Sequence, residues 1–307
     1  MNPFFSIIIP TYNRAHLLPI AIESVLNQTF TNWELVIVDD GSTDNTKAVV
    51  ESFNDDRIKY IWQENKERSA ARNNGIGQSK GTYICFLDSD DYYLNNRLEL
   101  FHYEILERNS PKALFYTGIC FKNGDTIIKQ EEEPNIYKSM MDYIVYNVIG
   151  NPQVCVHYQI LEQHKYNEQL TISEDMELWI RILDAGYSFI FLNNYTIVAV
   201  NHLGRSVSNS IVDSHIKMLD VLNFIFKKPH PGNAISNSMK RFVYSINYYG
   251  QAKYHISKNK KKEALQYLFY SIFMKCCSPQ TKHKLFLMYK ILFTSKKECN
   301  NLMNLIG

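Results

Sequence analysis

The sequence predicts an α/β protein with a mostly parallel sheet flanked by helices, followed by a helical C-terminal region. Short apolar runs alternate with helical patterns from residue 4 to residue 108, which is typical of a parallel sheet with helices on both faces. Beyond about residue 213 the pattern is helical to the end. The chain has 307 residues, 45% of them hydrophobic, which is enough for one large domain with an extension or for two small domains.

The first half of the chain reads as four strands separated by helices. Each strand is a short apolar run, and each helix places apolar residues at helical spacing. The predicted strands span residues 4–9, 34–38, 59–62 and 83–87. The predicted helices span residues 15–27, 69–78 and 95–108, with one more that is capped by Ser42, Thr43 or Asp44 and ends near residue 53.

The second half is more mixed. A strand over 113–122 leads into a turn at 123–125, which indicates a hairpin. Ser173 is the expected cap of a helix that runs to Ala185, and residues 188–200 read as two short strands. Trp179 lies at helical spacing with apolar neighbours, which favours core packing over a contact with a ligand.

The charge of the chain is unevenly divided. Residues 253–307 hold eleven lysines and two glutamates, whereas the remaining residues hold 22 basic and 29 acidic groups. Two basic stretches over 253–297 also carry apolar residues at helical spacing, and Leu265, Leu268, Phe269, Ile272 and Phe273 are expected on one face. These stretches predict either an anionic membrane surface as partner or helices packed on the rest of the protein. No nucleic-acid partner is expected.

Targeting signals are absent from the sequence pattern. The N-terminus has no basic n-region, and no run approaches the roughly 18 apolar residues of a membrane-spanning helix. The six cysteines lack Cys-x-x-Cys spacing, which predicts free thiols in a reducing compartment. We therefore expect a cytoplasmic protein, or one bound peripherally to the inner face of the cell membrane.

Polar clusters follow three of the predicted strands. Since ligands of such sheets gather at the carboxyl ends of the strands, the three clusters are expected to converge on one crevice. They are Thr11-Tyr12-Asn13-Arg14, Asp39-Asp40 and Asp88-Ser89-Asp90-Asp91.

The third cluster suits a hard metal ion. Asp88 and Asp90 stand at i and i+2 just past a strand, so both carboxylates can point at one ion, or divide between an ion and a sugar ring. Carboxylate oxygens suit Mg²⁺ or Mn²⁺, which would bridge the phosphates of a nucleotide diphosphate. The alternative is an acidic turn that caps the next helix.

Two further acidic motifs admit a chemical and a purely structural interpretation. A carboxylate at Asp39 or Asp40 can accept from a base N–H or a ribose hydroxyl, or it can simply complete a strand-to-helix turn. Glu174 and Asp175 open an amphipathic helix, where the helix dipole favours negative charge. The chemical interpretation is a general base held at the rim of a cleft.

In this order the motifs closely resemble the family 2 glycosyltransferases, which have the Rossmann-like GT-A fold. The resemblance covers roughly residues 4–210. It rests on five ordered motifs: Pro10-Thr11-Tyr12-Asn13-Arg14, Asp39-Asp40-Gly41-Ser42-Thr43-Asp44, Ala71-Arg72-Asn73-Asn74-Gly75-Ile76, Asp88-Ser89-Asp90-Asp91 and residues 174–181.

The resemblance implies roles for particular residues. The nucleotide would be held by Pro10, Thr11, Tyr12, Arg14, Asp39 and Asp40. Arg72 would lie near the nucleotide and diphosphate, Asp88 and Ser89 would contact the ribose or donor sugar, and Asp90 would bind Mn²⁺ or Mg²⁺. Asp175 would be the base with Glu174 beside it, and the sequence leaves open which of the two acts. A late loop would add His202 as a metal ligand and Arg205 as a phosphate contact.

The implied reaction is the inverting transfer of a sugar from a nucleotide-diphosphate donor, expected to be a UDP-sugar, to an acceptor hydroxyl. The acceptor would be a glycan or a lipid-linked intermediate in surface polysaccharide or glycolipid synthesis. Residues 1–212 would form the catalytic domain, with a donor half at 1–110 and an acceptor half at 111–212, and residues 213–307 a basic helical region. A nucleotidyltransferase acting on a sugar phosphate and a non-catalytic nucleotide- or carbohydrate-binding module are the alternatives.

Overall fold

A computed structural model describes residues 2–130, 139–147, 149–200, 211–275 and 281–293. The chain divides into two compact units. The first comprises Met1–Lys138 and Asn147–Arg205, and the second comprises Ser139–Tyr146 and Ser206–Gly307.

The first unit begins with four parallel strands in the order β3-β2-β1-β4. The strands are β1 (Phe5–Thr11), β2 (Trp33–Asp39), β3 (Ile58–Trp62) and β4 (Tyr83–Phe86). The helices between and after them are α1 (Leu18–Leu26), α2 (Thr46–Glu51), α3 (Glu67–Gln78) and α4 (Arg97–Glu107). Strands and helices alternate as the sequence predicts, and a two-residue strand β5 (Tyr92–Tyr93) precedes α4.

The second half of this unit extends the same sheet as a mixed one. Its strands are β6 (Ala113–Asn123), β7 (Thr126–Lys129), β8 (Val154–His157) and β9 (Ser188–Val200). β8 is antiparallel to β4 and β6, β9 is parallel to β6, and β7 forms the predicted hairpin with β6. Two helices belong here: α6 (Tyr158–Gln163) and α7 (Glu174–Asp184).

The expectation of two short strands over 188–200 is wrong, because β9 is one strand with a bulge. Its pairing with β6 shifts between Thr117↔Leu192 and Gly118↔Tyr195, and the intervening residues are exposed. Gly118 allows this packing, since a Cβ there would lie 2.4 Å from Cε1 of Tyr195. Bulges of this kind bend a strand without ending it.

Helix α3 packs unusually closely on the parallel strands. A Cβ added at Gly75 would lie 2.6 Å from Cγ2 of Ile8 on β1 and 3.3 Å from Cγ2 of Val38 on β2. Both strands are buried along most of their length. The missing side chain therefore sets the height of α3 above the sheet.

The second unit is helical, as the sequence predicts for the C-terminal region. Its helices are α5 (Met140–Asn147), α8 (Ile211–Ile225), α9 (Asn237–Ser257), α10 (Lys261–Met274) and α11 (Thr281–Phe293). The last three share a core formed by Tyr249, Ala252, Ile256, Ala264, Leu268, Leu287 and Ile291. Among the helices of the described ranges, none combines the length and the apolar character needed to cross a bilayer.

Candidate active site

A buried arginine on α3 joins two acidic segments. Arg72 is 3% exposed; its Nη1 donates to Oε1 of Glu174 at 2.7 Å and its Nη2 donates to Oδ1 of Asp88 at 3.0 Å. Asp88 lies just beyond β4, and Glu174 begins α7. Burial alone would lower the pKa of Arg72, but the carboxylates of Asp88 and Glu174 raise it above its ordinary value. The guanidinium therefore stays charged and holds the exit of β4 beside the start of α7.

The two asparagines that follow this arginine bind two other segments. The side-chain amide of Asn73 donates to the backbone O of Tyr166 at 3.0 Å and accepts from its backbone N at 2.9 Å. Nδ2 of Asn74 donates to Oε1 of Gln63 at 2.7 Å, and Nε2 of Gln63 donates to Oδ1 of Asp40 at 2.7 Å. One turn of α3 thus contacts the exits of β2 and β4 and the segment before α7.

Tyr166 fills the space between these groups. Its ring lies 5.7 Å from Cζ of Arg72, and it meets the rings of Phe86 and Trp179 edge to face. Its hydroxyl donates to Oδ1 of Asn151. Trp179 is fully buried and donates from Nε1 to a backbone oxygen, so the core-packing interpretation of this residue is confirmed.

The carboxyl of Asp175 differs chemically from its neighbour. Burial raises the pKa of Asp175 to about 7, and the charge of Glu174 is the second cause. The N–H of Met176, which donates to Oδ1 of Asp175 at 2.8 Å, and the charge of Arg72 lower the pKa only in part. Asp175 is half-buried by surface area, but surrounding protein atoms make desolvation the largest effect. Such a group can accept a proton near neutral pH.

The expectation that Ser173 caps α7 through its side chain is wrong. Ser173 stands at the N-cap position with φ 52°, in the left-handed region, and its side chain makes no capping hydrogen bond. A usual N-cap residue has an extended backbone, which directs its oxygen to the first turn. Non-glycine residues adopt the left-handed conformation at a cost, and such strain concentrates at functional sites.

The exits of β1 and β2 are bound to each other by side-chain to backbone hydrogen bonds. The N–H of Asn13 donates to Oγ of Ser42 at 2.8 Å, and the N–H of Thr43 donates to Oδ1 of Asn13 at 2.8 Å. The N–H of Ala15 donates to Oδ2 of Asp44 at 3.1 Å. The loops that follow β1 and β2 therefore form one continuous hydrogen-bonded surface.

The predicted capping of α2 is found for one of its three candidate residues. Its N-cap is Asn45, which makes no side-chain capping bond, and Ser42 is bonded to the loop after β1. Of the three residues expected to cap this helix, Asp44 bonds its first turn: Oδ1 accepts from the N–H of Thr46 at 3.1 Å.

The acidic pair after β2 is buried and hydrogen-bonded. In Asp39, Oδ1 accepts from the N–H of Ser42 at 2.8 Å and Oδ2 accepts from the hydroxyl of Tyr60 at 2.6 Å. Oδ1 of Asp40 accepts from the N–H of Lys66 at 2.9 Å. Each carboxylate oxygen has two lone pairs, so these bonds shape the turn and still leave capacity for a ligand. Their assignment to the nucleotide stays a prediction.

The other predicted nucleotide contacts lie along the exit of β1. Thr11 is buried, and its Oγ1 has no hydrogen-bond partner within the described residues. Buried hydroxyls are normally partnered, so this atom is suited to a bound ligand. Pro10 and Arg14 are half-buried, and Tyr12 is exposed.

The residues after β4 fit a hard divalent cation in part. Asp88 and Asp90 are half-buried and Ser89 is buried, and the described residues hold no group of three or more metal-ligating side chains. Oxygen donors of this kind suit Mg²⁺ or Mn²⁺, and Mg²⁺ usually completes its shell with water and substrate phosphates. His202 and Arg205 lie outside the described residues.

The sequence interpretation missed two residues of this arrangement, Gln63 and Tyr166, and it named Asn13 and Asn73 within motifs without giving them a role. One signal was available. Arg72, Asn73 and Asn74 are three consecutive polar residues in a helix whose buried positions include two alanines and a glycine. So many polar groups beside small residues indicate several distinct partners.

Comparison with known proteins gives consistent matches. Residues 6–161 match the family model of glycosyl transferase family 2. The chain is 33% identical over 247 residues to the Escherichia coli protein named UDP-Glc:alpha-D-GlcNAc-diphosphoundecaprenol beta-1,3-glucosyltransferase WfgD. That alignment covers 79% of this chain and 91% of WfgD.

Two solved structures share the fold. S. aureus TarS 1-349 in complex with UDP-GlcNAc matches with a TM-score of 0.62 at 18% identity, over 99% of this chain and 91% of that one. Mannosyltransferase PcManGT from Pyrobaculum calidifontis, in complex with GDP-Man and Mn²⁺, matches with a TM-score of 0.62 at 14% identity, over 99% and 85%. The GT-A expectation for the fold is thereby confirmed. With a family match over half its length and a relative that is 33% identical over 79% of this chain, the chain belongs to glycosyl transferase family 2 and is a glycosyltransferase.

Proposed function

We propose that this enzyme transfers a sugar from a UDP-sugar to a hydroxyl of a lipid-linked glycan, with inversion at the anomeric carbon and Asp175 as the base. The observation that carries the proposal is the difference between the two neighbouring carboxyl groups at the start of α7. Glu174 is ion-paired with a buried arginine, while the pKa of Asp175 is raised to about 7.

This difference favours Asp175 over Glu174 as the base. A base must take up a proton at the working pH, and the efficiency of proton transfer is greatest when its pKa lies near that pH. Oε1 of Glu174 is 2.7 Å from Nη1 of Arg72, so this carboxylate is already engaged in a buried ion pair. Glu174 is thus a counter-ion that also raises the pKa of its neighbour.

The donor would lie along the joined loops after β1 and β2. Pro10, Thr11, Tyr12, Arg14, Asp39 and Asp40 would hold the nucleotide, with Arg72, Asp88 and Ser89 toward the diphosphate and donor sugar. The partnerless Oγ1 of Thr11 supports this assignment. UDP as the nucleotide is supported by the UDP-sugars in the names of WfgD and of the TarS complex.

A divalent cation, Mn²⁺ or Mg²⁺, fits the carboxylate of Asp90, with His202 as a further ligand. When bound, it would neutralise charge on the diphosphate leaving group. Arg205 would contact the same phosphates. The Mn²⁺ in the PcManGT complex supports the choice of ion class.

The chemical step is one in-line displacement. The carboxylate of Asp175 takes the proton of the acceptor hydroxyl, and that oxygen forms a bond to C1 of the donor sugar. The bond from C1 to the diphosphate oxygen breaks on the opposite face, so UDP leaves with the electron pair and the configuration inverts. Asp175 ends protonated and returns its proton to water. Orientation of acceptor and donor supplies most of the acceleration, and proton removal adds roughly 10²–10⁴-fold.

The acceptor assignment rests on the relatives. The name of WfgD specifies a sugar on a diphosphoundecaprenol carrier. By analogy, residues 1–110 bind the donor and 111–212 the acceptor, while the basic region 213–307 works peripherally at the inner face of the cell membrane, in surface polysaccharide or glycolipid synthesis.

The experiment is UDP release from UDP-glucose or UDP-GlcNAc with a GlcNAc-diphospho-lipid acceptor and Mn²⁺. Asp175→Asn should bind UDP within a few fold of wild type and lose transfer by about 10² or more. Asp90→Asn should lose turnover and the Mn²⁺ dependence of donor binding. An active Asp175→Asn enzyme, or a product that keeps the donor's configuration, would contradict the mechanism. Full activity in chelator would remove the metal from it.

A further inference from the structure

Helix α11 carries apolar side chains on the face that points away from its core. Leu285 is 52% exposed, Tyr289 60% and Leu292 58%, at the i, i+4, i+7 spacing of one helical stripe. On the opposite side Leu287 and Ile291 are buried in the core of the second unit. Helices of soluble proteins normally place polar residues on the outer face, so this pattern is inverted.

Helix α10 repeats the pattern. Phe269 is 56% exposed and Phe273 is 67% exposed, one turn further along, and their rings stack with centroids 6.4 Å apart. The inward positions Ala264 and Leu268 are buried. The sequence predicted Leu268, Phe269 and Phe273 on one face of this helix. In the structure Leu268 lies in the core, whereas the two phenylalanines are exposed.

Isolated exposed apolar residues are ordinary, but a repeated stripe is not. The inner faces of both helices contribute to one core, so the exposed stripes belong to surfaces that the described helices of the second unit leave uncovered.

The charge around these stripes favours one kind of partner. Residues 253–275 and 281–293 hold nine lysines and one acidic residue, and one of these lysines, Lys284, is buried. Lys258, Lys260 and Lys262 are exposed at the start of α10. A second copy of this surface would be repelled by the same charge, whereas an anionic surface would be attracted.

We propose that the outer faces of α10 and α11 bind an anionic lipid surface, with the exposed apolar side chains among the acyl chains and the lysines near the headgroups. The inference rests on the proposed function and deepens it, because it names the surface of the second unit that would contact the membrane holding the acceptor. It stands on exposure and charge, and not on the reaction.

The test is co-sedimentation of the full chain with vesicles of phosphatidylcholine plus phosphatidylglycerol, against phosphatidylcholine alone, at low and high salt. Wild type should bind the mixed vesicles and release them at high salt. Replacing Phe269, Phe273, Leu285 and Leu292 together by serine should lower partition by roughly tenfold or more. The matched control is Tyr103→Ser with Leu106→Ser, two apolar residues of α4 that are 59% and 49% exposed; this variant should bind like wild type.

Replacing Lys258, Lys260 and Lys262 by glutamine should lower binding to the mixed vesicles by about fivefold per lysine, and leave phosphatidylcholine binding unchanged. The proposal is overturned if wild type ignores mixed vesicles at low salt, or if the serine variant binds them equally well. It is also overturned if wild type is a dimer that the serine substitutions dissociate. UDP release to a water-soluble acceptor without vesicles should be unchanged in the serine variant, so failure here and failure of the proposed reaction are separable.

Discussion

Asp175→Asn should stabilise the fold at pH 8 while abolishing transfer. The structure raises the pKa of Asp175 to about 7, whereas an aspartate in the unfolded chain has a pKa of about 3.9. The folded protein therefore holds the proton of this carboxyl more tightly than the unfolded chain does. The contribution of this carboxyl to the free energy of unfolding is fully present below about pH 4, and it is lost as the pH rises through 7.

The magnitude follows from the two pKa values. A difference of about three pH units corresponds to about 4 kcal/mol at pH 8, since each unit is worth about 1.36 kcal/mol. Asparagine carries no charge, and its side-chain oxygen can still accept from the N–H of Met176. We expect a gain approaching this value at pH 8 and a much smaller gain at pH 5.

Thermal unfolding at both pH values measures the effect, at roughly 2–4 °C for each kcal/mol. Asp184→Asn is the matched control, because Asp184 lies exposed on the same helix and should leave Tm unchanged. The reasoning is refuted if Asp175→Asn lowers Tm at pH 8, or if its effect is equal at pH 5 and pH 8. The same pKa predicts that kcat/KM of wild type falls as the pH drops below about 7.

Two more predictions concern α3. Arg72→Lys should reduce kcat/KM by about 10² or more and lower Tm, because an ammonium lacks the planar fork that bridges Asp88 and Glu174; near-normal kinetics would show that charge alone suffices. Asn73→Ala removes both hydrogen bonds to the backbone of Tyr166 and should cost about 1–3 kcal/mol of stability. It should lower kcat, measured by UDP release, with little change in UDP affinity, measured by titration calorimetry. Equal losses of kcat and UDP affinity would argue against a positioning role.

The sequence was sufficient for the elements whose pattern is local. The buried strands β1, β2 and β4 each contain a run of three or four apolar residues, and the helices between them have clear apolar faces. It was insufficient for β8 and β5, which no interpretation of the sequence identified. β8 has four residues and pairs with Ile84 and Leu114, far away in the chain, so its strand character depends on tertiary packing.

The candidate site divides in the same way. Acidic residues at strand ends could be recognised from their spacing, and so could the carboxylates that open α7. Their partners could not, because the ion pair between Arg72 and Glu174 spans 102 residues and no periodicity reports it. The choice between Glu174 and Asp175 likewise depends on which carboxyl meets the guanidinium, and that is a property of the folded chain.

Gly75 connects the packing of the sheet to the active site in one step. A single methyl group there would meet Ile8 at 2.6 Å, so the contact must open by about an ångström before ordinary packing returns. Arg72, Asn73 and Asn74 occupy the preceding turn and would move with the helix. The position of Arg72 relative to Asp88 and Glu174 therefore depends on an apolar contact between α3 and the sheet. That contact is possible because Gly75 has a hydrogen atom where other residues have a Cβ.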